Sequence, residues 1–148
     1  MNRQGIRCNG GHTFGTNRVI AAHVGGKMPE KRILLVEDEA TNREILTYAL
    51  REEGYVIDAV VSAGAAILCL ELTPYALVIA DWLLPDGSGG DVADAAAKLG
   101  AKTFIISGYI RGLPDGAAAR HELLTKRLGP TEIVAAVRQA IGCPVDEA

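Results

Sequence analysis

Five polar side chains follow apolar runs closely enough to suggest chemistry. Glu37 and Asp38 come after Ile33-Leu-Leu-Val36, and Asp81 after Tyr75-Ala-Leu-Val-Ile-Ala80. Ser107 comes after Thr103-Phe-Ile-Ile106, and Lys126 after Leu123-Leu-Thr125. Three unpaired carboxylates brought together repel, and their pKa values rise. A hard divalent cation removes that conflict. Mg²⁺ takes oxygen ligands and is commonly held by one or two carboxylates plus phosphate oxygens. An acidic pocket with a free carboxylate beside Mg²⁺ (or Mn²⁺) suits phosphoryl transfer onto that carboxylate. On this reading Asp81 is the nucleophile. Glu37, Asp38 and Asp81 bind the metal, and a backbone carbonyl just after Asp81 completes its site. Lys126 supplies a second cation to a phosphoryl oxygen. The Ser107 hydroxyl meets a third oxygen only once phosphate is present, which gives a switch its differential energy.

Such a cluster needs elements that deliver it. Ile33–Val36 is an unbroken apolar run of buried-strand length. Ile45, Leu46, Ala49 and Leu50 recur at helical spacing, and Gly54 is a suitable stop. Residues 55–60 read as a strand. Ser62 is placed to cap a helix through Leu72, with Pro74 just past its end. Residues 76–80 form the most apolar strand, expected at the centre. A thin Ala-rich helix spans 91–99, a strand 103–106, a weak helix 114–120 and a short strand 122–125. Thr131 starts a last helix with Ile133, Val134, Val137, Ala140 and Ile141 on one face. Five strands alternating with five helices predict an α/β fold built from βαβ units around a doubly wound parallel sheet. Right-handed crossovers then bring the carboxyl ends of the strands to one edge, where open sheets of this kind place ligands.

Composition limits the function classes. Apolar residues make up 49% and charged residues 22% of 148, ordinary for one globular domain. No apolar run approaches the roughly 20 residues of a bilayer span, and no secretory h-region is evident. The expectations are a cytoplasmic protein and no membrane partner. Cys8, Cys69 and Cys143 have no C-x-x-C spacing, which points to a reducing compartment rather than a disulfide framework or zinc site. Residues 1–28 carry Arg3, Arg7, Arg18 and Lys27 and no acid, leaving −7 on the rest of a chain whose net charge is −3. That acidic remainder argues against a nucleic-acid partner. The Gly-rich segment 1–28 reads as a disordered basic tail, 29–142 as the domain and 143–148 as a frayed tail.

The motifs Leu34-Leu-Val-Glu-Asp-Glu39, Leu77-Val-Ile-Ala-Asp-Trp-Leu-Leu-Pro-Asp-Gly-Ser-Gly89, Ile105-Ile-Ser-Gly-Tyr109 and Leu124-Thr-Lys126 come in a specific order. In that order they resemble the receiver (CheY-like) domain of two-component response regulators, across residues 30–142. The resemblance implies a flavodoxin-like sheet of strand order 2-1-3-4-5, an order for which a receiver protein is a standard example. It implies phosphorylation of Asp81 by a sensor histidine kinase or phosphotransfer protein, with the metal-binding carbonyl at Leu83 and a downstream protein target. Three departures stand out. Arg127 follows Lys126 where the family usually has proline. Leu123 replaces the usual switch aromatic, for which Tyr109 is the nearest substitute. Glu37 replaces the commoner Asp.

Only six residues follow Gly142, too few for a DNA-binding module, so a stand-alone receiver is expected. The protein is then not an enzyme beyond chemistry on its own aspartate. The departures motivate an alternative, a receiver-like module that binds a partner constitutively without phosphorylation. An Asp-nucleophile phosphohydrolase would commonly place a second acid where Leu83 stands. A flavin carrier would want a phosphate loop where Glu37-Asp-Glu39 stands. Asp86 is expected as a turn acid, Asp58 and Asp94 as solvated charges, His121 as a strand-start residue, and Asp38 as a possible helix cap.

Overall fold

A computed structural model describes residues 31–108 and 113–144, apart from the side chains at 115, 117 and 118. The proposed tail 1–28 and Tyr109 lie outside the described residues. The main sheet comprises β1 (Arg32–Val36), β2 (Val56–Val60), β3 (Leu77–Asp81), β4 (Lys102–Ser107) and β5 (Glu122–Thr125). Five helices are described: α1 (Ala40–Glu53), α2 (Ala63–Leu72), α3 (Gly89–Lys98), α4 (Asp115–Arg120) and α5 (Pro130–Ile141). A two-residue antiparallel ribbon, Leu83–Leu84 with Gly87–Ser88, folds the loop after β3.

Every strand pair in the main sheet is parallel, in spatial order β2-β1-β3-β4-β5. The expected flavodoxin-like arrangement is therefore present. All five residues of β3 are buried, as the apolar run predicts for a central strand.

Side chains alternate between two packed faces because strand residues point to opposite sides with a period of two. Ile33, Leu35, Leu77, Ile79, Phe104, Ile106 and Leu124 pack under α1 and α5 with Leu46, Leu50, Ile133, Val134 and Val137. Leu34, Val36, Val78 and Ala80 pack on the other side with Ala66, Leu70, Val92 and Ala96 of α2 and α3. Each large aliphatic buried on the first face contributes about 1.5–3 kcal/mol. The Ala-rich second face holds smaller helices close with less area per residue.

The helix ends follow local chemistry. Gly54, at φ 109°, closes α1 in the left-handed region that favours glycine. The Ser62 hydroxyl accepts from the Ala65 N–H at 3.1 Å, the expected cap of α2. Asp38 does not cap α1, because Glu39 occupies the cap position without a side-chain bond. Cys69 is a free thiol, as expected, whereas Cys143 is disulfide-bonded, against the reduced state expected for it. Pro144 is buried, and its carbonyl accepts from the Lys31 N–H at 3.1 Å.

Candidate functional site

The strand alternation explains how three of the site residues meet. Glu37, Asp81 and Lys126 continue the odd or even series of Ile33/Leu35, Leu77/Ile79 and Leu124, all of which face α1 and α5. Parallel register then sets their heights. Val36 pairs with Ala80, Asp81 with Ile106, and Ser107 with Thr125. The carboxyl ends of β1, β3, β4 and β5 thus lie at one level.

Lys126 Nζ donates to Asp81 Oδ2 at 2.9 Å and lies 3.7 Å from Glu37 Oε1. Carboxylate oxygens of Glu37, Asp38 and Asp81 lie within 4.8 Å of one another. Glu37 and Asp81 are buried, and Asp38 is exposed. The Lys126 side chain is 32% exposed, so its ion pairs are partly screened by water. Its backbone N–H donates to the Ser107 carbonyl at 3.0 Å, tying the lysine loop to the end of β4. No described peptide bond is cis, and Lys126 reaches Asp81 with Arg127 in the usual proline position. Ser107 is buried beside this loop, at the end of β4.

Burial raises the Glu37 carboxyl above its ordinary range, and the neighbouring Asp81 adds to the rise. The Glu39 N–H, which donates to Glu37 Oε2 at 3.1 Å, and Lys126 oppose it. Burial works to lower the Lys126 pKa. The hydrogen bond and charge of Asp81, with Glu37 and Asp38 behind it, outweigh burial and raise the pKa. One ammonium thus serves three carboxylates, and at Glu37 burial outweighs what that ammonium and the Glu39 N–H contribute.

Two supporting residues escaped the sequence reading. Arg43 donates from Nη1 to the carbonyl of Glu37 at 3.1 Å and to that of Asp38 at 3.4 Å. It braces the backbone that carries both acids. A cation in the first turn of a helix opposes the helix dipole, and that mismatch was the one local signal. Asp86 is more than a turn acid. Its carboxylate accepts from the Ala63 N–H at 2.7 Å and the Gly64 N–H at 2.9 Å, joining the loop after β3 to the start of α2.

Two other acids, expected as solvated charges, are partly exposed but also paired. Asp58 accepts from the Tyr75 hydroxyl at 2.6 Å and pairs with Arg32 at 3.3 Å. Asp94 pairs with Arg120 at 2.9 Å and with buried His121 at 2.7 Å, and His121 also meets Thr103 at 2.6 Å. His121 precedes β5, as expected. Leu83 opens the two-residue ribbon two positions after Asp81, with its side chain exposed.

The family described as the response regulator receiver domain matches residues 33–138. The chain belongs to this family. Response regulator TrrA of Thermotoga maritima, solved in complex with Mg²⁺-BeF, is 33% identical with a TM-score of 0.68. That match covers 74% of this chain and 98% of TrrA. A CheY-like receiver domain from Methanospirillum hungatei shares the fold at 24% identity and TM-score 0.68, over 76% of this chain and 94% of its own. The DNA-binding response regulator MtrA of Mycobacterium tuberculosis is 37% identical over 79% of this chain and 53% of its own length. The transcriptional regulatory protein HprR of Escherichia coli is 32% identical over 72% of this chain and 50% of its own. The chain spans about half the length of the curated relatives it matches. Among the described residues, no helix is long and apolar enough to cross a membrane.

Proposed function

We propose that this receiver domain is a phosphorylation-switched signalling module that accepts a phosphoryl group on Asp81. The observation that carries the proposal is the Lys126 ammonium 2.9 Å from Asp81, inside a cluster completed by Glu37 and Asp38. A carboxylate oxygen of Asp81 attacks the phosphorus of a phosphohistidine on a partner kinase or phosphotransfer protein. The P–N bond breaks, and the imidazole leaves and takes up a proton. Lys126 shifts from the Asp81 carboxylate to a phosphoryl oxygen, and the Ser107 hydroxyl donates to another. Both contacts strengthen as the phosphoryl group arrives, so they favour the phosphorylated form.

The donor set is all oxygen and excess negative charge, which fits Mg²⁺ or Mn²⁺ better than a softer metal. Glu37, Asp38, Asp81 and the Leu83 carbonyl would hold the ion, which supplies charge neutralisation to the phosphoryl oxygens. The TrrA complex with Mg²⁺-BeF supports this assignment. Chemistry is confined to the protein's own aspartate, so the module is not a turnover enzyme. It acts in the cytoplasm through a downstream protein target or by onward phosphotransfer. The acidic balance of the domain supports protein rather than nucleic-acid contacts for this unit.

The test is intact-mass measurement after incubation with Mg²⁺ and a small-molecule phosphodonor. One phosphate adduct is expected, absent in Asp81→Asn and without divalent cation. No adduct with any donor would refute the proposal and favour a constitutive binding module. Sustained multiple turnover of the donor would point to a phosphohydrolase instead.

A further inference from the structure

A groove of about 740 Å³ runs between α1 and α5. Its floor is apolar, from Ile45, Tyr48 and Val134, and its rim is acidic, from Glu44, Glu52 and Glu53. Ile45 is 44% and Tyr48 67% exposed, an unusual display for a helix face beside a packed core. Among the described residues, the one guanidinium lining it, Arg138, already pairs with Glu53 at 2.6 Å. The groove is therefore matched to an occupant that is basic and partly apolar.

The geometry points to residues 18–27 of this same chain as that occupant. Arg18-Val-Ile-Ala-Ala22 and Lys27 place an apolar run between two cations, and no acid occurs anywhere in residues 1–28. The described chain begins at the right place. The Lys31 N–H donates to the Pro144 carbonyl, and Lys31 Nζ donates to the Ile141 carbonyl at 2.8 Å, at the end of α5. Glu53 and Arg138 are on the last turns of the two helices, so the groove opens beside this anchor. Glu44 to Glu53 spans about 14 Å of helix. The nine residues from Ala22 to Lys31 can reach about 30 Å when extended. Tethering over so short a linker gives a local concentration in the millimolar range, enough for a weak groove to be filled.

The inference does not depend on phosphorylation, and its test reads docking alone.

The experiment is a charge swap in the full-length chain, followed by amide chemical shifts of Ile45, Tyr48, Val134 and Ala135. Arg18→Glu with Lys27→Glu should move these signals, although neither substitution lies in the groove. Glu44→Lys with Glu52→Lys should produce the same undocked state. The four substitutions together should restore the parent shifts. Each pair of reversals should lower the docked-to-free ratio about tenfold, as loss of exposed ion pairs implies. Groove signals insensitive to Arg18→Glu with Lys27→Glu would overturn the inference. Signals that move with protein concentration would overturn it in favour of a second copy as the occupant. Melting curves check that each variant remains folded.

Discussion

Gly89 offers a sharp test of how closely α3 packs on the strand end that carries Asp81. A Cβ added there would lie 2.2 Å from the Asp81 carbonyl oxygen, 2.8 Å from its carbonyl carbon and 3.1 Å from Trp82 Cα. All three are backbone atoms, so no rotamer change relieves the clash. Ordinary C–H···O contacts lie at about 3.3–3.6 Å, so the start of α3 must retreat by about 1 Å. The Gly89 N–H to Trp82 carbonyl bond, 2.8 Å long, is stretched or lost. Overpacking costs about 1–3 kcal/mol, and the hydrogen bond a further 0.5–1.5 or so. Gly89→Ala should therefore cost about 2–4 kcal/mol. At about 4 °C per kcal/mol for a domain of this size, Tm falls by about 8–16 °C. Gly108→Ala is the control, because a Cβ there meets no atom of the described residues within 4 Å. Its effect should stay within about 0.5 kcal/mol. Thermal unfolding by circular dichroism measures both. A Gly89→Ala protein melting with the parent would refute the close-approach argument. If it melts early but stays folded at assay temperature, adduct formation on Asp81 should also slow, since the same backbone positions the carboxylate.

Three further outcomes follow from the same geometry. The Glu37 pKa is raised, so the folded chain binds its proton more readily than the unfolded chain, and stability is lost as pH rises from about 4.5 through the folded value. In chelator, Glu37→Gln should gain on the parent between pH 4 and pH 7, and equal differences in urea midpoint at both pH values would contradict this. The Asp86 pKa is lowered by the N–H groups of Gly64 and Ala63, so its contribution is present above pH 3.8 and fades as pH falls through the lower folded value. Asp86→Ala should destabilise at neutral pH and match the parent in strong acid; a deficit that persists in acid would argue for a non-electrostatic role. Phe104, 2% exposed, fills the face under α1 and α5. Phe104→Ala should cost about 3–5 kcal/mol in denaturant unfolding, and a loss under 1 kcal/mol or so would mean that the cavity collapses freely.

Legibility tracked the range of the interactions. Strand alternation alone puts Glu37 on the side of Ile33 and Leu35, and Asp81 on the side of Leu77 and Ile79. Ser62 and Gly54 marked helix ends because capping acts within a few residues. Asp58, Asp86 and Asp94 were read as solvated or turn acids, yet each pairs with groups 17 to 27 positions away. Nothing local marks such a partner. Whether Tyr75 meets Asp58, or His121 meets Asp94, depends on strand register and on how a helix is rotated about its axis. Arg43 is intermediate: its charge was out of place locally, but its acceptors became known only from the turn into α1.

The amino-acid sequence alone determined the alternating elements, the parallel sheet, the family and the acids and lysine at the strand ends. Hydrophobic periodicity and capping are short-range properties, and they suffice for this. Only the tertiary structure decided that Lys126 reaches Asp81 with Arg127 behind it, that Glu37 is the acid whose charge burial penalises, and that an acidic groove stays open between α1 and α5. Each of these depends on distances between segments far apart in the chain, and packing sets those distances.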